Sequence, residues 1–224
     1  MTKVNGAGNA VEYGEITYEK FCNKRSLNLD GNHRCSLLCP NCPRQTKYTD
    51  HGMKVAGSDI PADDFDKCIK FFGHINFEGQ YSDPVHHPKF LDMLKKCYDN
   101  KVFATIQHAS AAKPFNWYMK AFKANPNAKW RFSIDGLPKD SHKYRINQDG
   151  LKLFKVMRKC AHMYRAGQMK IKPQWQYIVF NYNENDIEKC KQMARDIGVY
   201  FYVIKSSRWN GNNDPFMPSK KWRL

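Results

Sequence analysis

The stretch Ser26-Leu-Asn-Leu-Asp30-Gly-Asn-His-Arg-Cys35-Ser-Leu-Leu-Cys39-Pro-Asn-Cys42 places three cysteines directly after a short alternating segment. Thiolates at offsets of four and three residues can converge on one metal centre when the loop curls round it. Three thiolates are an incomplete set for a tetrahedral ion, whereas on a four-iron cluster they leave one iron open to a further ligand. Because open positions mark catalytic metal sites, the spacing predicts a catalytic centre just past a strand end.

Short apolar segments rich in β-branched or aromatic residues recur along the chain, near 25–30, 74–78, 102–107, 130–134, 174–180 and 199–205. Between them, apolar residues recur at helical spacing over 65–72, 90–98, 115–122, 154–164 and 187–197, the last followed by Gly198. Strands that alternate with helices of this length predict successive βαβ units and a parallel sheet. Six units of one hand give either an open wound sheet or an incomplete barrel.

The division of the chain follows from these segments. We expect residues 1–24 to be a leader packed on the core, residues 25–205 to form a single core domain, and residues 206–224 to be an irregular tail. The tail is too short for a second domain and holds Trp209 and Trp222, which we expect to pack on the core.

The composition excludes several classes of protein. A hydrophobic content of 42% and an aromatic content of 14% are not those of a disordered chain. No apolar run approaches the roughly 20 residues of a membrane helix, and the polar N-terminus is not typical of a secretory signal, so a cytoplasmic protein is expected. The net charge of +16 predicts attraction to polyanions or simply a solvated basic surface.

Of the eight cysteines, four fall on the apolar stripes of predicted helices: Cys68, Cys97, Cys160 and Cys190. Free cysteine in such a position behaves as a small hydrophobe. Neither these four nor Cys22 has metal-ligand spacing with a neighbour, so no second metal centre is expected.

Polar residues collect where the predicted strands end. Glu78-Gly-Gln-Tyr-Ser-Asp83-Pro84 follows the second strand, Gln107-His108 the third, and Ser133-Ile-Asp135-Gly136-Leu the fourth, with Arg145 soon after. In parallel α/β folds, ligands bind at the loops that leave the carboxyl ends of strands. These loops therefore belong to the same predicted site as the cysteines.

A Cys-x3-Cys-x2-Cys loop after the first strand, a Gly-x-x-x-Asp-Pro loop after the second and Ser-Ile-Asp-Gly-Leu at the fourth resemble the radical S-adenosylmethionine (SAM) superfamily over roughly residues 25–205. Within the superfamily, the motifs most resemble those of the peptide-modifying branch. That branch usually has a cysteine-rich C-terminal extension, which we do not expect residues 206–224 to form because Cys190 is the last cysteine. The resemblance implies a partial (β/α)6 barrel with a parallel sheet, similar to a TIM barrel.

The resemblance also implies a cofactor and a reaction. Cys35, Cys39 and Cys42 would hold a [4Fe-4S] cluster whose open iron takes the amino and carboxylate groups of SAM. An electron from a reductant protein such as a flavodoxin or ferredoxin would cleave SAM to methionine and a 5′-deoxyadenosyl radical, which abstracts hydrogen from substrate. A barrel lumen would shield such a radical from solvent.

By the same resemblance, the loop from Glu78 to Pro84 would bind the SAM amino group, while Ser133 and Arg145 would meet the carboxylate or ribose. Asn41 stands where the family often has an aromatic residue or Met, and Glu78-Gly-Gln-Tyr replaces the common Gly-Gly-Glu-Pro. The residues that the resemblance implies for cofactor binding are Asn41, Gly79, Gln80, Asp83, Ser133, Asp135 and Arg145.

The sequence leaves two alternatives open. A zinc-stabilised, basic nucleic-acid-binding protein would use Cys35, Cys39 and Cys42 with His33 as a fourth ligand. If the protein is an enzyme, the resemblance favours a peptide or protein substrate, whereas the positive net charge favours RNA or another nucleotide-containing substrate. No membrane association is expected.

Overall fold

The computed structural model of the chain describes residues 3–4, 10–11, 25–205, 207–211 and 213–223. Most of the expected leader, including Cys22, lies outside these residues. The two-residue strands Lys3–Val4 and Ala10–Val11 pair with each other in antiparallel fashion. The division into leader, core and tail stays a prediction.

One sheet of six strands organises the molecule. Its strands are β1 (Ser26–Asn28), β2 (His74–Glu78), β3 (Phe103–His108), β4 (Lys129–Ser133), β5 (Gln174–Ile178) and β6 (Tyr200–Ile204). The α-helices are α1 (Pro43–Lys47), α2 (Ala62–Phe71), α3 (Phe90–Asp99), α4 (Phe115–Ala124), α5 (Gly150–Arg165) and α6 (Ile187–Ile197). Single 3-10 turns are formed by Thr49–His51, Pro84–His86, Ser141–Lys143 and Lys220–Trp222.

The strand order decides between the two predicted architectures. Every neighbouring pair is parallel, and the strands follow one another in chain order from β1 to β6 without reversal. A doubly wound sheet requires a reversal of strand order, which would place helices on both faces. With crossovers of one hand and no reversal, the helices cover a single face and leave the other concave, so the predicted partial (β/α)6 barrel is confirmed.

Successive side chains of each strand point to opposite faces of the sheet. One face is apolar and lies against the helices, and the other is polar. On β2, Ile75 and Phe77 are buried beneath the helices, whereas His74, Asn76 and Glu78 are half-buried on the concave face. The register extends this pattern to the other strands, whose buried residues include Ile106, Trp130, Phe132 and Trp175.

The helices present their apolar stripes to this sheet as the periodicity predicts. Cys97, Cys160 and Cys190 are fully buried in the main core, and Cys68 packs against it, so their predicted role as small hydrophobes is confirmed. Gly198 caps α6 with a φ of 74°, a left-handed conformation that glycine adopts without strain.

The tail lies on the domain. Trp222 packs against the main core, and Phe216 packs into a second, smaller core with Tyr144 and Phe180. Among the described residues, none of the helices combines the length and the apolar character needed to cross a bilayer.

Candidate functional site: a cysteine-lined cavity at the barrel rim

The three cysteines of the loop after β1 line one cavity at the carboxyl ends of the strands. All three are free thiols, and Cys42 is the N-cap residue of α1. Inside the loop, the Cys42 amide donates to the Cys39 carbonyl at 3.2 Å and the Leu37 amide donates to Cys35 Sγ at 3.4 Å. These bonds curl the loop so that the sulfurs face the same space.

Burial makes the thiols of Cys35 and Cys39 reluctant to ionise by themselves. It raises the pKa of Cys35 to about 12, with a further contribution from the Asp83 carboxylate. It raises the pKa of Cys39 to about 11, while the guanidinium groups of Arg145 and Arg208 act in the opposite direction. A cation is therefore needed to displace the protons, as in metal-thiolate sites.

The described structure does not gather the three cysteines round a single metal ion. Among the described residues, no three His, Cys, Asp or Glu side chains are placed to ligate a single metal ion. The three cysteines nonetheless line one cavity. Thiolates are the donors that both zinc ions and iron-sulfur clusters take, so the chemistry of these side chains fits the cluster that the resemblance implies.

His33 is not brought to the cysteines. It does not line the cavity, and its Cβ lies beside Gly57, in the loop before α2. The described structure therefore does not assemble the four-ligand zinc site that the sequence left open.

The segment after β4 supports the cysteine loop from the side. The Tyr144 hydroxyl donates to the Pro40 carbonyl, and the Leu38 amide donates to the Ile146 carbonyl at 3.1 Å. Tyr144 is fully buried and stacks on Phe180 with ring centroids 3.9 Å apart. The loop is thus tied to the barrel interior through neutral hydrogen bonds and aromatic packing.

The same cavity gathers loops from four further strands. Eight of the ten residues predicted for the site line it: Cys35, Cys39, Cys42, Gly79, Gln80, Asp83, Ser133 and Arg145. The two that do not are Asn41 and Asp135. The structure shows which of the ten residues line the cavity. The roles of all ten in binding a cofactor stay predictions.

The loop after β2 is shaped by an aspartate that the sequence analysis missed. Asp30 Oδ2 accepts the amides of Gln80 at 3.0 Å and Tyr81 at 2.7 Å, and its Oδ1 accepts the Ser82 hydroxyl. Glycine is required at position 79 because a Cβ there would overlap the Ser82 carbonyl. The loop is folded tightly on itself before any ligand arrives.

Asp83 lines the cavity, but its carboxylate is engaged with the backbone. Its Oδ2 accepts the amides of Ala109 and Ser110, both at 2.8 Å, and its Oδ1 accepts the amide of Val85 at 3.2 Å. These charge-assisted bonds join the loop after β2 to the loop after β3. Asp83 therefore orients the rim of the cavity.

Asp135 lies behind Arg145 and is sealed from the cavity. Its Oδ2 is 2.7 Å from Arg145 Nε, its Oδ1 accepts the Ile178 amide at 2.8 Å, and its carbonyl accepts the Tyr182 hydroxyl at 2.7 Å. The carboxylate keeps the pKa of the buried Arg145 guanidinium above its ordinary value, against desolvation, which lowers it. Asp135 thus fixes a permanent positive charge that lines the cavity.

Ser133, at the end of β4, is held through Gln148. The Gln148 side-chain amide donates to the carbonyls of Ser133 at 2.9 Å and Ala109 at 2.6 Å, while its oxygen accepts the Ser141 hydroxyl. This buried glutamine links the ends of β3 and β4, and the sequence analysis did not identify it.

Asn41 turns away from the cavity toward the tail. It has a left-handed φ of 55°, and its side-chain amide donates to the Arg208 carbonyl and to Asp214 Oδ2, both at 3.4 Å. Asp214 also accepts the amides of Asn210 at 2.7 Å and Phe216 at 2.8 Å. In the described structure Asn41 therefore fastens the tail to the cysteine loop.

The tail adds a cation to the cavity. Arg208 lines it beside Arg145, and Arg44 of α1 does so from the other side. Sequence reasoning missed Arg208 because nothing in the tail's composition separates it from an ordinary basic residue. Three guanidinium groups beside the thiols favour anionic ligands, since the arginine fork binds carboxylates in bidentate fashion.

No model of a protein family matches the sequence, and no curated protein matches it. Solved structures do match, and the fold is that of proteins crystallised with S-adenosylmethionine. The fold that the resemblance implies is thus confirmed.

Two such proteins illustrate the match. SuiB from Streptococcus suis superposes with a TM-score of 0.65 at 13% identity, over 86% of this chain and 42% of SuiB. The protein anSMEcpe, with bound AdoMet and the Cp18Cys peptide, superposes with a TM-score of 0.57 at 13% identity, over 88% of this chain and 55% of its own. SuiB has also been solved with the precursor peptide SuiA, with a TM-score of 0.62 at 12% identity, over 80% of this chain and 38% of SuiB. The chain thus spans about half the length of these proteins or less.

Proposed function

We propose that the chain is a radical SAM enzyme. The observation that carries the proposal is the single cavity in which Cys35, Cys39 and Cys42 meet the strand-end loops and the fixed charge of Arg145. The three cysteines would hold a [4Fe-4S] cluster with one iron open to SAM. When bound, this pair of cofactors would supply methionine and a 5′-deoxyadenosyl radical that abstracts a hydrogen atom from the substrate.

The chain's own residues would bind and orient SAM. The backbone amides of Gln80 and Tyr81 already donate to Asp30, so the backbone of these residues can offer a ligand only its carbonyl oxygens. Carbonyl oxygens are the acceptors that the SAM ammonium group needs. Arg145 would meet the SAM carboxylate, with Ser133 beside it, and Asp83 and Asp135 would act as positioning residues.

The concave face of the sheet would receive the substrate. It is lined by polar groups that bond to one another: Arg131 Nη1 lies 3.0 Å from Glu78 Oε1, Arg131 Nε donates to Gln174 at 3.0 Å, and the Tyr202 hydroxyl donates to Gln176 at 2.6 Å. Gln176 also lines the cysteine cavity, so this polar surface borders the proposed cofactor site. Such a pre-ordered polar surface can hold a substrate while the barrel wall limits the access of water.

For the substrate we propose a peptide or protein, since two proteins of the same fold have been solved with peptides bound. An RNA substrate is the alternative that the net charge of +16 favours. The electron donor would be a small redox protein such as a flavodoxin or ferredoxin.

Anaerobic reconstitution tests the proposal. We expect a brown protein with about four irons per chain, and the formation of 5′-deoxyadenosine when dithionite and SAM are added. A folded protein that takes up no iron would overturn the proposal. Transfer of deuterium from a labelled candidate substrate into 5′-deoxyadenosine would then identify the substrate class.

A further inference from the structure

A second cavity, remote from the cysteines, lies between α4 and α5 on the helical layer of the barrel. Its lining residues are Phe115, Lys155, Arg158, Lys159, His162 and Arg165. It shares none of them with the cysteine-lined cavity. We call it the basic groove.

The basic groove follows the helical geometry of α5. Lys155, Arg158, Lys159 and His162 stand at offsets of three, four and seven residues, so they occupy one face of the helix, and Arg165 continues that face. The opposite face contributes buried residues such as Leu153 and Met157 to the core. At a rise of about 1.5 Å per residue, the cations extend over roughly 15 Å.

No carboxylate accompanies this stripe. The sequence has no Asp or Glu between Gly150 and Asn183, and none between Ala109 and Ile134, the stretch that includes α4. Other helices pair their lysines internally, as Lys67 does with Asp64, Lys95 with Asp99 and Lys191 with Glu188. Across the described ranges, no ion pair joins a lysine or arginine of the basic groove to a carboxylate.

An aromatic ring stands at one end of the stripe. Lys155 Nζ lies 5.5 Å from the centroid of the half-buried Phe115 ring. At the other end, Arg165 Nη1 donates to the Ile197 carbonyl at 2.5 Å, which holds the guanidinium in place without pairing it with a carboxylate. A row of unpaired cations beside an aromatic ring is the combination that binds single-stranded nucleic acid.

We propose that the basic groove binds the phosphodiester backbone of single-stranded RNA. A pI of about 9.5 together with cations aligned along one helix face is the electrostatic footprint of a nucleic-acid-binding domain. An acidic polypeptide is the competing ligand, and it would have to supply a comparably dense row of charges. The proposal does not depend on the proposed enzymatic function, because the basic groove and the cysteine-lined cavity share no residue.

The test measures the binding of a labelled oligouridine of about 20 nucleotides to the purified protein by fluorescence anisotropy, between about 50 and 200 mM KCl. The variant K155Q/R158Q/K159Q is compared with the control K54Q/K70Q/K89Q, which removes the same charge at exposed lysines elsewhere. With a slope of about −0.7 per phosphate contact, we expect the groove variant to lose about 2 units from the slope of log K against log salt. The control should change it far less.

Two outcomes would overturn the proposal. It is overturned if both triple variants lower the affinity and the salt slope equally, because binding would then follow net charge alone. It is also overturned if polyglutamate displaces the oligonucleotide at an equal or lower concentration of charged groups than unlabelled oligouridine. Iron content and 5′-deoxyadenosine formation in the groove variant are measured alongside, so that a failure of the enzymatic proposal is seen separately.

Discussion

Asp135 and Arg145 form a buried ion pair, with Oδ2 and Nε 2.7 Å apart and with side chains that are 0% and 7% exposed. Removing one partner of a buried pair leaves an uncompensated charge, which costs several kcal/mol. Replacement of Asp135 by Asn preserves the shape and an acceptor for the Ile178 amide, so it removes mainly the charge.

We therefore expect Asp135→Asn to lower the free energy of unfolding by about 3 kcal/mol, measured by urea denaturation. Asp140→Asn is the matched control, since Asp140 pairs with Lys143 at the surface and should cost less than about 1 kcal/mol. Equal effects of the two substitutions would contradict the importance of burial.

Replacing Cys39 should affect iron uptake, whereas replacing a cysteine of the main core should not. Cys39 is buried beside Leu37 and Tyr144 in the smaller core, whereas Cys97 is buried in the main core. Both Cys39→Ala and Cys97→Ala should lower the free energy of unfolding by about 1 kcal/mol and leave the circular dichroism spectrum unchanged. Only Cys39→Ala should abolish iron uptake, measured after anaerobic reconstitution. Iron loss in both variants, or global unfolding of Cys39→Ala, would count against the assigned ligand set.

The periodic parts of the fold could be predicted from the sequence. Each of the six strands lies within a residue or two of a predicted apolar segment, and the five longer helices coincide with apolar stripes. The helix α1 was missed because Pro43-Arg-Gln-Thr-Lys47 is only five residues long and has no apolar period. The gathering of loops at one rim was also predictable, since it follows from the parallel order of the strands.

The partners of polar side chains at the rim could not be predicted in the same way. Asp30 bonds to residues 50 to 52 positions later, and Asn41 to residues more than 160 positions later. Composition and spacing report on neighbours along the chain, whereas these bonds depend on where loops from different strands meet. The sequence therefore predicted which loops meet at the cavity, but it did not predict that the side chains of Asp83, Asp135 and Asn41 bond to other parts of the protein.

The next prediction concerns Asp83, whose carboxylate joins two loops at the rim of the cavity. Asp83→Asn replaces one carboxylate oxygen by a donor, so at least one of the amides of Val85, Ala109 and Ser110 loses its acceptor. We expect a loss of about 2 kcal/mol in the free energy of unfolding. Binding of SAM to the reconstituted protein, followed by calorimetry, should weaken as well.

Asp92→Asn is the control for this substitution, because Asp92 is an exposed residue of α3. It should leave both quantities unchanged. Unaltered stability in Asp83→Asn would show that water replaces the carboxylate at the three amides.

The last prediction concerns the bond between Asn41 and the tail. Asn41→Gly keeps the left-handed backbone without strain and removes both side-chain hydrogen bonds to the tail. Two long bonds are worth about 1 kcal/mol together, so opening of the tail should rise about fivefold. Trypsin cleavage after Arg208 under native conditions measures this opening.

Asn41→Ala should show the same cleavage and lose about 1 kcal/mol more in global stability, from left-handed strain. The control is Asn147→Gly, since Asn147 is also left-handed but donates to Ser36, 3.3 Å away in the cysteine loop. Faster cleavage in Asn147→Gly than in Asn41→Gly would show that the tail is held by the cysteine loop as a whole rather than by Asn41.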